Sequence, residues 1–192
     1  MNYRRIKTNK NILLSGPFLL IPDKFVDERG FFMESWNEKT FDNIVKSPIK
    51  FVQDNHSNSK KNVIRGLHFQ LPPNDQAKLV RCISGKIFDV IVDIRKSSPT
   101  FLNWAGVILD AKSHNQLWIP SGFAHGFMSL DENSEIIYKT TSSWSKNDER
   151  TIRWDDNTLK IDWPIEKTPP IISIKDKTAT TIESMLENDF FP

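Results

Sequence analysis

Short runs in which apolar and polar residues alternate recur along almost the whole chain, the period expected of half-buried β-strands. Phe18 to Pro22 and Phe31 to Trp36 read as strands on either side of the turn signal Asp27-Glu28-Arg29-Gly30. Further strands are expected at Phe51 to Asn55, Val63 to Gln70, Phe101 to Leu109, Gln116 to Ile119, Ala124 to Leu130 and Glu135 to Thr141. Lys78 to Ile83 and Lys86 to Ile94 predict a hairpin that turns at Ser84-Gly85. In its second arm Phe88, Val90, Val92 and Ile94 form one apolar face, while Asp89 and Asp93 share the other. Two stretches have helical character: Asn37 to Val45, with Asn37 as N-cap, and the tail from Lys175 to Glu187. Many short strands with few helices predict an all-β sandwich or barrel. No repeat, low-complexity tract or linker divides the 192 residues, so one domain over 1–192 is expected.

Composition narrows the function classes. Basic and acidic residues number 26 and 24 and are well mixed, which leaves a net charge of +2. No basic block marks a nucleic-acid surface, so any anion contacts are expected to be local. Aromatic residues are abundant at 11%, which suits a β-rich interior and stacking sites. Cys82 is the one cysteine, which rules out an intrachain disulfide and fits a reducing cytoplasm. No apolar run reaches the ~18 residues that a membrane-spanning helix needs. The stretch Ile12 to Ile21 is interrupted by Ser15, Gly16 and Pro17, so it does not read as an export signal.

The chemistry concentrates in Arg65-Gly66-Leu67-His68-Phe69-Gln70. His68 sits within an apolar strand pattern, and histidine is the side chain best matched to moving protons near neutral pH. Strict alternation puts Gly66 and Gln70 on its side of the strand, with open space expected at the bare glycine. A core histidine satisfied by one neighbour is the competing reading of this segment alone.

Around that segment the chain resembles the dTDP-4-dehydrorhamnose 3,5-epimerases, isomerases on the route to dTDP-L-rhamnose. The resemblance is carried by Asp27-Glu28-Arg29-Gly30-Phe31-Phe32, Phe51 to Ser57, Val63 to Gln70 and Lys78 to Cys82. It continues through Phe88-Asp89-Val90, Val92 to Arg95, Leu117 to Phe127, Tyr138 to Thr141, Ile161 to Pro164 and Ser173 to Asp176. Order and spacing hold from about residue 17 to residue 177. The resemblance implies a cupin-type jelly-roll barrel, a homodimer, a dTDP-4-keto-6-deoxy sugar as substrate and no cofactor. Residue by residue it implies His68 as base, Asp176 as the carboxylate that orients it, Tyr138 as the acid and Lys78 beside the C4 oxygen. Arg65 and Arg29 match positions that hold the diphosphate and sugar, Arg29 reaching in from the partner subunit. Phe32, Glu34, Gln53, Asn55, His125 and Lys177 match further substrate-binding positions. Trp144 stands where an aromatic platform for the thymine ring belongs. Its neighbourhood, Ser142-Ser143-Trp144, departs from a commoner stretch with two adjacent tyrosines.

Metal-dependent cupins place two histidines as His-x-His and another in Pro-x-Gly-x-x-His. Pro120 to His125 satisfies the second pattern, but Gln70 stands where the first needs an imidazole. Too few ligands remain for a tight site, so metal-free chemistry is expected. Inversion of one carbon only, a 3,4-ketoisomerase and a non-catalytic sugar-binding cupin are the competing functions. Asp89 reads either as a carboxylate supporting the site from the barrel interior or as a surface residue.

Overall fold

The computed structural model describes all residues from Met1 to Pro192. Its elements, in chain order, are β1 (Asn2–Lys7), β2 (Leu13–Ile21), β3 (Phe25–Asp27), β4 (Gly30–Phe32) and α1 (Glu38–Val45). There follow β5 (Gln53–Ser59), β6 (Val63–Gln70), β7 (Lys78–Ser84), β8 (Lys86–Asp93), β9 (Trp104–Asp110), β10 (Gln116–Ile119), β11 (Phe123–Ser129) and β12 (Ser134–Thr140). The last are β13 (Glu149–Thr151), β14 (Ile171–Ile172) and α2 (Ile174–Lys177). Two antiparallel sheets face each other. The first has the order β1-β2-β10-β7-β12-β5, the second β13-β6-β11-β8-β9, with β14 added in parallel to β6. This is the all-β, jelly-roll architecture that the strand pattern and the resemblance predicted.

Three apolar clusters hold the layers. The first lies between the sheets and includes Leu19, Val80, Ile91, Leu117, Phe127 and Ile136. The second lies on the outer face of the second sheet. There Ile64, Leu67, Phe69, Val90 and Val92 are covered by Ile152, Leu159, Trp163 and Ile182 from the C-terminal segment. Full burial of one such side chain contributes about 1.5–3 kcal/mol, which is what keeps a tail with little regular structure in place. The third cluster packs Phe41 of α1 against Leu20, Leu79 and Trp118. That helix starts as expected: the Asn37 side chain accepts from the backbone N–H of Thr40 at 3.1 Å.

Four expectations are corrected. The Lys78–Ile94 segment is not a hairpin. β7 pairs with β10 and β12 in the first sheet, and β8 pairs with β9 and β11 in the second. Gly85, at φ +71°, is where the chain crosses between sheets, and a Cβ there would lie 2.9 Å from Ser134 Oγ. A turn signal cannot distinguish a hairpin from such a crossing, because the pairing partners are remote in sequence. The run Phe31–Trp36 yields only the short β4, folded back on β3. The tail forms one helical turn, α2, followed by 3-10 turns at Ile182–Ser184 and Glu187–Asp189. Thr180 instead bridges to Ile152, and tertiary pairing overrides the local helical pattern. Gly66 faces no open space: a Cβ there would lie 2.6 Å from Gly126 Cα and 2.9 Å from the His125 carbonyl. It marks a bulge in β6, where Arg65 pairs with Phe127 and His68 with His125, so one residue is extra. The bulge resets the alternation and turns both Arg65 and His68 toward the barrel interior.

Candidate active site

Polar side chains collect at one part of the interior, around a cavity of about 270 Å³. The second sheet supplies Arg65, His68 and Gln70 from β6, His125 from β11 and Glu149 from β13. The first sheet supplies Gln53 and Asn55 from β5, Lys78 from β7 and Tyr138 from β12, and Trp144 stands at the edge of the cavity. Six strands therefore frame a space that no single segment of sequence defines.

Two His–Asp pairs lie side by side, because His68 and His125 are directly opposite on neighbouring strands. His68 Nε2 is 2.6 Å from Asp176 Oδ1. Asp176 sits in α2, whose N-cap Ser173 accepts the Asp176 backbone N–H, and its Oδ2 accepts from the Gly66 N–H at 3.4 Å. Burial works to raise the pKa of Asp176, but the His68 hydrogen bond and charge, with the Gly66 and Ser173 contacts, outweigh it and hold the carboxyl below its ordinary range. His125 Nε2 lies 2.9 and 3.0 Å from the two carboxylate oxygens of Asp89, which is fully buried. Asp89 thus faces the barrel interior and is not a surface residue.

Lys78 reaches across the interior and donates to the His68 carbonyl at 3.3 Å. Burial drives its pKa down to about 8, with the carboxylates of Asp89 and Glu149 opposing that fall. Tyr138 is pushed the other way, above its ordinary value, by burial, while Arg65 counteracts. A phenol so shifted keeps its proton at neutral pH. Arg65 is held at the mouth by Ser59 Oγ and the Asn58 carbonyl, both at 3.0 Å. Gln70 is a strut: it donates to the carbonyls of Asn74 and Ser143 and accepts from the Ser145 N–H at 2.8 Å. No group of three or more His, Cys, Asp and Glu side chains is disposed to ligate a metal ion.

The sequence model of the family described as dTDP-4-dehydrorhamnose 3,5-epimerase matches residues 11–184. This chain belongs to that family. A dTDP-4-dehydrorhamnose 3,5-epimerase of Shigella flexneri is 52% identical over 88% of this chain and 91% of its own length. The crystal structure of a Legionella pneumophila dTDP-6-deoxy-D-glucose-3,5-epimerase, in complex with dTDP-4-keto-L-rhamnose, superposes with a TM-score of 0.90 at 38% identity, covering 99% of this chain and 98% of that one. A 3'-monoepimerase from Streptomyces bikiniensis, in complex with dTDP-quinovose, gives 0.83 at 29% identity over 88% of this chain and 85% of its own.

Not every expected residue of the epimerase site comes to the cavity. Arg29 is 85% exposed and pairs with Asp27 on the β3–β4 hairpin. Phe32 is exposed on the same hairpin, and Glu34 just beyond it accepts from Asn37 Nδ2 at 3.3 Å. Lys177 is also exposed and does not line the cavity. Its neighbour Lys175 comes closer, through an ion pair with Glu149 at 2.7 Å. Glu149 was not anticipated, since it reaches the site only because β13 pairs with β6 opposite Gln70. Ser57, also unanticipated, was within reach of a period-two reading from Gln53 and Asn55. The half-exposed Trp144 is anchored by its backbone, donating to Gln53 Oε1 at 3.1 Å, which leaves its ring free.

Proposed function

We propose that this chain epimerises C3 and C5 of dTDP-4-dehydro-6-deoxy-D-glucose, giving dTDP-4-dehydro-L-rhamnose. The observation that carries the reading is the placing of His68 and Tyr138 on opposite sheets around one cavity that the Lys78 ammonium also lines, reaching the His68 carbonyl. The ketone at C4 acidifies the hydrogens on C3 and C5, because the carbanion delocalises onto the carbonyl oxygen. His68 takes the proton, and Asp176 orients its ring and supports the imidazolium. Lys78 stabilises the enolate oxygen. Tyr138 returns a proton from the far face, which inverts the carbon. Arg65 takes diphosphate oxygens, and the Trp144 ring stacks on the thymine.

The test is turnover of dTDP-4-keto-6-deoxyglucose in deuterated water. Deuterium at both C3 and C5 is expected. Label at C3 alone would replace this reading with a single-site epimerase, and no exchange at all would remove the enzymatic reading.

A homodimer belongs to the same proposal. Every residue of the β3–β4 hairpin is exposed, including Phe25, Val26, Phe31 and Phe32, an unusual load of apolar surface for a free arm. On this reading the arm of one copy brings Arg29 and Phe32 to the cavity of the other. Mixing inactive Arg29→Ala and inactive His68→Ala proteins, with subunit exchange, is expected to restore about a quarter of wild-type activity through heterodimers with one intact site. No restoration would mean that Arg29 acts within its own subunit or not at all. Work in the cytoplasm without a cofactor completes the proposal. The cytoplasmic setting is supported by the lone, buried, unpaired Cys82; no helix of the structure is long and apolar enough to cross a membrane.

A further inference from the structure

The Asp89 carboxylate is the one fully buried acid that faces the cavity wall without touching the cavity. It contacts no Arg or Lys side chain, and its hydrogen bonds go to His125 alone, both oxygens on Nε2. A carboxylate only accepts, so the shared proton sits on Nε2. Nδ1 of His125 has no partner in the protein, and the ring lines the cavity beside His68. A group with this burial and this single contact serves more than packing, because an isolated buried carboxylate is costly.

We propose that Asp89 is a positioning residue of the reaction: it locks His125 in the tautomer that offers the Nδ1 lone pair to a sugar hydroxyl, and it is the buried countercharge that keeps Lys78 an ammonium. The charged and titratable groups that face Lys78 come from every wall: Asp89 on β8, Glu149 on β13, Lys175 on α2, His68 on β6, His125 on β11 and Tyr138 on β12. Glu149 is already paired with Lys175 at 2.7 Å, so it offsets a cation of its own. Asp89, fully buried behind His125 with no cation among its own partners, is left to oppose the fall of the Lys78 pKa. Its sign is the one required, because an enolate oxygen is stabilised by a cation and not by a neutral amine.

The inference rests on the epimerase reading, and its test separates the two. Deuterium uptake by the wild-type enzyme addresses that reading. For Asp89, the first measurement uses the unaltered protein: the 15N shifts of His125 report which nitrogen carries the proton. A proton on Nε2 is expected, and one on Nδ1 overturns the proposal whether or not any variant folds. The second is the pH profile of Asp89→Asn, whose amide oxygen still accepts from Nε2 while the charge is gone. Its alkaline limb of kcat/KM is expected to move about one unit lower, the effect of one lost neighbouring countercharge, which makes kcat/KM about tenfold lower along that limb. A variant of reduced activity whose limb stays in place would show a merely structural role and overturn the countercharge.

Discussion

The two His–Asp pairs use the same chemistry and differ in everything around it. His125–Asp89 is built from adjacent strands of one sheet, and both side chains are buried. His68–Asp176 joins a strand to a tail 108 residues away, and its imidazole is 31% exposed to the cavity. In the pair assembled within a sheet the imidazole shows only an edge to the cavity, at 8% exposure. A pair whose ring opens on the cavity, and whose carboxylate is held by a capped helical turn, is placed to take a proton from a bound molecule and lose it again. On the proposed mechanism, the difference teaches that the opening of the ring onto the cavity, more than the pairing itself, separates a base from a support.

The sharpest way to break this contrast is to remove each ring. On the proposed mechanism His68→Ala lowers kcat by about three orders of magnitude or more, with dTDP still bound in a calorimetric titration. His125→Ala is expected to cost far less in kcat. Comparable losses from the two would erase the distinction. A smaller effect is expected at the carboxylate: Asp176→Asn keeps the shape but loses the charge that supports the imidazolium, and kcat should fall about 10–100-fold in steady-state assays. An unchanged kcat would leave Asp176 as a tail anchor only. The mildest expectation concerns pH. On the proposed mechanism Lys78 acts as a cation, so kcat/KM should decline as pH rises through about 8, where that ammonium loses its proton. A profile flat to pH 10 would detach Lys78 from the chemistry.

Much of the site was legible before the fold. His68, Lys78, Tyr138, Arg65, Gln53, Asn55, His125 and Trp144 all line the cavity, and Asp176 backs it. They were legible because motif order and spacing identify a family whose positions carry over. Glu149 was hidden because its place depends on β13 joining β6, a pairing without a local signature. Lys175 and Lys177 could not be told apart from sequence, since only the turn of α2 decides which ammonium reaches Glu149. Gly66 was misread for a similar reason: alternation assumes an unbroken strand, and the bulge breaks it.

The sequence by itself determined the all-β class, the α1 start at Asn37 and the residue types of the chemistry. These follow from local period, capping and composition, which act over a few residues. Only the tertiary structure decided that β7 and β8 part into different sheets and that both faces of β8 are buried. It also decided that Asp89 and Asp93, neighbours on one face, take unrelated roles: Asp89 meets His125, while Asp93 accepts from Arg95, Ser98 and Thr100. These outcomes depend on which distant strands meet. The free energy of such meetings lies in burial and pairing between segments that no local pattern couples.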